Sequence, residues 1–128
     1  MKREIKFRTW DIKRKKIIHF IWNGIISEYN IISFEVVEEE EKEYLGCLPD
    51  NEVILMQYTG LKDSKGIEIY EGDIVQNPGD KTHIGEIVFR NGAFWIDWND
   101  MTSGNLFGDN EIVSIVGNIY ENSKLLTV

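Results

Sequence analysis

The sequence contains a single cysteine, Cys47, so no disulfide can form within the chain. With Gly46 and Leu48 beside it and no histidine near, Cys47 reads as a small apolar residue rather than a nucleophile. Histidine is almost as scarce. His19 and His83 are the only two, and neither stands at metal-ligand spacing from another ligand. No metal and no cofactor are expected. His19 reads as a half-buried polar residue of a strand, and His83 as a solvated residue at a loop edge. Alanine occurs once, at Ala93, while isoleucine is abundant. The best helix former is therefore missing and a strand former stands in its place, which points to a mainly β chain. Long apolar runs are absent too, so no membrane partner is expected and the protein is read as cytoplasmic.

Catalytic patterns are also missing. There is no phosphate-cradling glycine motif and no Gly-x-Ser-x-Gly elbow. Carboxylates are plentiful but do not converge in sequence. Glu71 and Asp73 flank a glycine turn, where Asp73 is expected to bond backbone amides. Asp97 and Asp100 flank Trp98-Asn99 and read as turn chemistry. No catalytic residue is expected, and the protein is read as a binder rather than an enzyme.

Charge is present in quantity and unevenly spread. The 128 residues carry a net charge of −8, which disfavours nucleic acid as the main partner. Yet residues 1–16 hold eight cations against Glu4 and Asp11, and residues 35–43 hold six glutamates against Lys42. Such asymmetry can bind a phosphate backbone or join one subunit to another. It can equally be two solvated faces of one subunit.

Strand patterns run through the chain. Ile5, Phe7 and Thr9 alternate with Lys6, Arg8 and Trp10. Asp11 starts a turn, Lys13-Arg14-Lys15-Lys16 forms a charged tip, and Ile17 to Trp22 completes a hairpin. Ile25-Ile26, Ile31-Ile32 and Phe34 to Val37 look like short strands. The glutamates after them suit a helical turn or an acidic loop. Pro49-Asp50-Asn51 is a turn, which predicts a boundary between a subdomain at 1–50 and another at 51–128.

The second part is punctuated throughout. Gly60, Gly66 and Gly72 stand at turn-like spacing, with Asp63 placed to bond its own backbone two residues on. Asn91-Gly92 is the favoured dipeptide for a two-residue type I′ hairpin. That register sets Phe89 against Phe94, Val88 against Trp95 and Ile87 against Ile96. One face then carries Ile87, Phe89, Phe94, Ile96 and Trp98 as core, and the other Glu86, Val88, Arg90, Trp95 and Asp97. Ile112 to Ile119 is a last strand, and Asn122 can cap a short turn at 123–126. About five short strands in this half suit a small SH3-like β-barrel.

Several segments resemble the YopX family of phage and prophage proteins. They are Ile5-Lys6-Phe7-Arg8-Thr9-Trp10-Asp11, the long stretch Leu55 to Val75, Ile84-Gly85-Glu86-Ile87-Val88-Phe89, and Val116-Gly117-Asn118-Ile119-Tyr120-Glu121-Asn122. Residues 23–48 match no motif of that family. The resemblance implies a phage or prophage origin in a bacterial host cell, a mainly β fold and a barrel-like second half. It makes self-association plausible and implies no catalytic residue.

The expected interaction residues are therefore Trp95, Val88 and Arg90 on the off-core hairpin face, Tyr58 and Tyr70 in the signature stretch, and Lys13, Arg14, Lys15 and Lys16 at the basic tip. Gly60, Gly66, Gly72, Asp73, Asn91 and Gly92 are expected to be structural turns. The expected partners are a second copy of the chain and a host or phage protein. The alternative is a nucleic-acid-binding module that uses the basic tip and exposed aromatics, Trp95 first, to stack bases.

Overall fold

A computed structural model describes residues 4–21, 31–38, 41–49 and 53–126. The chain divides into two compact units, Met1–Gln57 and Tyr58–Val128.

The first unit begins with a hairpin of β1 (Phe7–Asp11) and β2 (Lys16–Ile21), paired from Arg8 opposite His19 to Asp11 opposite Lys16. Two longer strands follow, β3 (Ile31–Glu38) and β4 (Glu41–Pro49). β3 pairs with β2, and β4 with β3. Glu35 and Glu38 lie in β3 and Glu41 and Glu43 in β4, with Glu38 opposite Glu41, while Glu39 and Glu40 of the expected helical turn or acidic loop lie outside the described residues. Their β-branched neighbours from Ile31 to Val37 supply the strand preference. The expected strand at Ile25-Ile26, and Asp50-Asn51 of the expected turn, lie outside the described residues.

β5 (Val53–Lys62) spans the division. Its first half, Val53 to Gln57, pairs antiparallel with β1. In β1 the successive residues Arg8 and Thr9 are both buried, so both faces of that strand are covered. The exposed His19 contrasts with the half-buried position expected for it.

In the second unit the rest of β5 pairs with β6 (Glu68–Tyr70). Then β7 (Asp73–Asn77), β8 (Asp80–Arg90), β9 (Ala93–Trp98) and β10 (Ser103–Asn105) form an antiparallel meander. A kinked helical turn, α1 (Leu106–Asp109), leads to β11 (Ser114–Asn118), which returns to pair with β7. A short 3₁₀ turn at Ser123–Leu126 closes the described chain. The order β10-β9-β8-β7-β11 is that of an SH3-like sheet, curled into a half-barrel.

The turn between β8 and β9 explains its own register. Asn91 and Gly92 both take positive φ, 54° and 77°, the two left-handed residues of a type I′ turn. Arg90 then faces Ala93, Val88 faces Trp95 and Ile87 faces Ile96. The inner face of the curl holds Ile69, Val75, Ile87, Ile96, Leu106 and Val113, with Leu61, Phe94, Trp98 and Ile115 packed around them. Each fully buried aliphatic side chain contributes about 1.5–3 kcal/mol. Phe89, expected in this core, is instead 51% exposed. It belongs to the second pair from the turn, opposite Phe94. The Phe94 ring, 5.0 Å away, reaches the core.

Candidate interaction surfaces

The basic tip is a shaped turn. Asp11 is 3% exposed, and its Oδ1 accepts from the backbone N–H groups of Lys13 (3.1 Å) and Arg14 (3.0 Å). Its Oδ2 accepts from Arg14 Nη1 at 3.2 Å. The Asp11 carbonyl accepts from Lys15 N at 2.8 Å, and Lys15 adopts φ 54°. A buried carboxylate therefore holds the chain that displays Ile12, Lys13, Arg14, Lys15 and Lys16, all exposed.

On the outer face of the second unit, Arg90 and Asp97 form a fork. Arg90 Nη1 and Nη2 donate to the two Asp97 oxygens at 3.0 and 3.1 Å, and Ser103 Oγ donates to Asp97 Oδ1 at 2.7 Å. The Arg90 guanidinium holds the Asp97 carboxyl below its ordinary range, and Ser103 adds to this against partial burial. Glu86, directly opposite Asp97, moves the other way: burial raises it first, and the Asp97 charge second.

Trp95 lies on this face but is half-buried rather than exposed. Its Nε1 donates to the Arg90 carbonyl at 2.9 Å, and the Arg90 guanidinium sits 5.9 Å from the ring centroid. The indole is thereby engaged by its own hairpin, as is half-buried Val88 opposite it. Tyr58 and Tyr70 are buried partners on β5 and β6, with ring centroids 5.4 Å apart. They act inside the fold.

The signature stretch works as a clamp. Asp63 is buried; its Oδ1 accepts from Lys65 N and Ile67 N, and its Oδ2 from Ile115 N, each at 2.9 Å. Asp73 Oδ2 accepts from Tyr70 N at 2.8 Å, shaping the turn that starts β7. Gly60, Gly66 and Gly72 sit at φ between 81° and 83°. These residues hold backbone and present no reactive group.

A second exposed surface escaped the sequence reading. At the α1 corner Phe107 is 80% exposed and Ile112 is 57% exposed, beside Asp109 and the exposed Glu111. The corner is tied down from several sides. Phe107 N donates to Asn105 Oδ1 at 2.9 Å, and Gly108 N to Asn110 Oδ1 at 3.2 Å. Asn110 Nδ2 donates to the Lys62 carbonyl at 2.8 Å. Leu106-Phe107 as adjacent apolar residues in a tight turn was the available signal, since neighbours there cannot both point inward.

His83 also departs from expectation. It is stacked on Trp98, centroids 4.0 Å apart, rather than solvated. Its Nδ1 lies 3.1 Å from Asn77 Nδ2, and its Nε2 lies 3.2 Å from Asp100 Oδ2 without hydrogen-bond alignment. Asp100 is held below its ordinary value chiefly by Thr102, with His83 adding to it. Among the described residues, no three His, Cys, Asp or Glu side chains group as metal ligands, and no helix is long and apolar enough to cross a membrane.

Comparison with known proteins places these features in context. The family model described as YopX protein matches residues 6–127. Protein EF1440 from Enterococcus faecalis has a similar structure, with 26% identity and a TM-score of 0.63 over 98% of this chain and 99% of that one. Protein yopX from Bacillus subtilis is 19% identical, with a TM-score of 0.62 over 95% of each chain, a likeness of fold alone. No curated protein matches the sequence.

Proposed function

The chain belongs to the YopX family, and we propose that it is a phage or prophage accessory protein that acts by binding, to itself and to a host or phage protein, in the cytoplasm of a bacterial cell. The observation that carries this reading is the basic turn. Its consecutive cations Lys13 to Lys16 are exposed on a turn shaped by a buried acid, in a chain of net charge −8. A turn fixed in this way has already lost the entropy that ordering on binding would cost. Its natural complement is acidic, and the second unit offers one. Residues 58–128 carry five cations against eleven carboxylates, a net of −6.

A catalytic reading has less support. The Asp63, Asp73 and Asp11 carboxylates are each occupied by backbone N–H groups, and Asp97 by Arg90. The nucleic-acid reading loses one of its expected contacts, because the Trp95 indole is half-buried and bonded to its own hairpin.

Co-expression of two differently tagged full chains tests the proposal. Capture of one tag should recover the other in stoichiometric amount after nuclease treatment. Recovery of nucleic acid without the second copy or any stoichiometric protein overturns it.

A further inference from the structure

We propose that the basic turn of one copy docks on the α1 corner of a second copy, with Ile12 and Lys13 to Lys16 meeting Phe107 and Ile112 between Asp109 and Glu111. This rests on the self-association reading above and names the surfaces that perform it.

The two surfaces are complementary in both kinds of chemistry. The turn offers one apolar side chain, Ile12 at 44% exposed, followed by cations. The corner offers two exposed apolar side chains, Phe107 and Ile112, with half-buried Asp109 and exposed Glu111 next to them along the chain. Like surfaces would repel each other, whereas these attract over a range set by salt. Phe107 adds a ring face over which a lysine or arginine can sit.

At the turn Ile12, Lys15 and Lys16 are exposed, and at the corner Phe107, Glu111 and Ile112. Both are also fixed in shape. The turn is held by Asp11, and the corner by Asn105, Asn110 and a positive-φ Gly108 at 96°. A large aromatic side chain displayed on a pinned backbone is the usual form of an interface anchor. Buried Leu106 beside it ties the anchor to the core. Because two different surfaces meet, copies join either twice across a two-fold axis or head to tail into a ring.

Charge reversal tests this with a built-in rescue. One full-length variant carries Lys15→Glu and Lys16→Glu, which leaves the Arg14–Asp11 bond in place. The other carries Asp109→Lys and Glu111→Lys. Sedimentation velocity at low salt should show the wild type associating and each variant weakened at least tenfold. An equimolar mixture of the two variants should associate again, since each supplies the charge the other's surface needs. Rescue by mixing also excludes simple misfolding as the cause of the loss. A Phe107→Asp variant should associate weakly alone and with the Asp109→Lys/Glu111→Lys variant, and more strongly with the Lys15→Glu/Lys16→Glu variant, whose intact corner can receive its basic turn.

Association of the wild type that neither reversal alters would overturn the assigned surfaces and leave self-association standing. Weakened variants that the mixture fails to restore would also overturn them. A wild type that never exceeds the single-chain mass would remove the self-association reading itself.

Discussion

The Asp63 carboxylate accepts the backbone N–H of Ile115 at 2.9 Å, joining residues 52 positions apart. With its other oxygen it accepts Lys65 N and Ile67 N. One buried side chain thus shapes the signature turn and fastens it to β11, which is itself an edge partner of β7. Asn110 ties Lys62 to the α1 corner from the other side. The long family-like stretch is therefore a structural clamp, and the α1 corner it fastens is one of the two surfaces proposed to bind.

Asp63→Asn is expected to destabilise the protein by about 1–3 kcal/mol, because an amide cannot accept at both ends and leaves a buried donor facing Ile115 N. Asp63→Ala, which abandons all three amides, should cost more. Equilibrium urea denaturation of the full chain checks the order. A loss below 0.5 kcal/mol for Asp63→Ala, on the scale of an ordinary surface substitution, would contradict the clamp.

Gly85→Ala is expected to be costly for a different reason. A Cβ there would lie 2.5 Å from Ile96 Cγ2 and 3.1 Å from both the Asp97 carbonyl and Trp98 Cε3. Overpacking of this kind costs about 1–3 kcal/mol. The melting temperature should fall, while Gly79→Ala, whose Cβ would lie 3.5 Å from Asn77 Oδ1, should change it little.

Glu86 and Asp97 face each other and respond oppositely to pH. Glu86 is raised above its ordinary 4.5, so the folded state holds the proton more tightly than the unfolded chain. Its contribution is present below 4.5 and is lost as pH rises through the raised value. Asp97 is lowered below 3.8, so its contribution is present above 3.8 and is lost as pH falls through the depressed value. Glu86→Gln should therefore stabilise at pH 7, by a few tenths to about 1 kcal/mol for removing a charge disfavoured first by burial and then by Asp97 opposite, and much less at pH 4. Denaturation curves at the two pH values test the sign.

His83 is expected to carry its proton on Nε2 when neutral. Asn77 Oδ1 already accepts Gly79 N at 2.9 Å, which turns the Asn77 amide nitrogen toward His83 Nδ1. A nitrogen that receives a donor has no proton of its own. Long-range proton–nitrogen NMR correlation of the imidazole reads the tautomer directly, and an Nδ1–H signal would contradict the arrangement.

Much of the fold was legible because turn chemistry leaves few choices. Asn91-Gly92 can supply two positive-φ residues, and with that turn the whole β8–β9 register follows, including which of Ile87 and Val88 faces the core. The mainly β class followed from abundant isoleucine and a single alanine. What local pattern does not contain is long-range pairing. Nothing in Val53 to Lys62 shows that its first half belongs to β1 and its second to β6. The same limit hid the binding candidates. Trp95 was placed on the correct face, but its bond to the Arg90 carbonyl depends on the fold of the side chain over the turn. His83 met Trp98 only once the hairpin closed, and Phe107 was exposed by a kink at Gly108 that a short loop pattern does not reveal.

The most direct test of binding to itself is light scattering of the full chain over a range of concentration and salt. The account predicts a mass above one chain at low salt that falls toward one chain as ionic strength screens the Lys13–Lys16 turn. A single-chain mass at every concentration and every salt would contradict it.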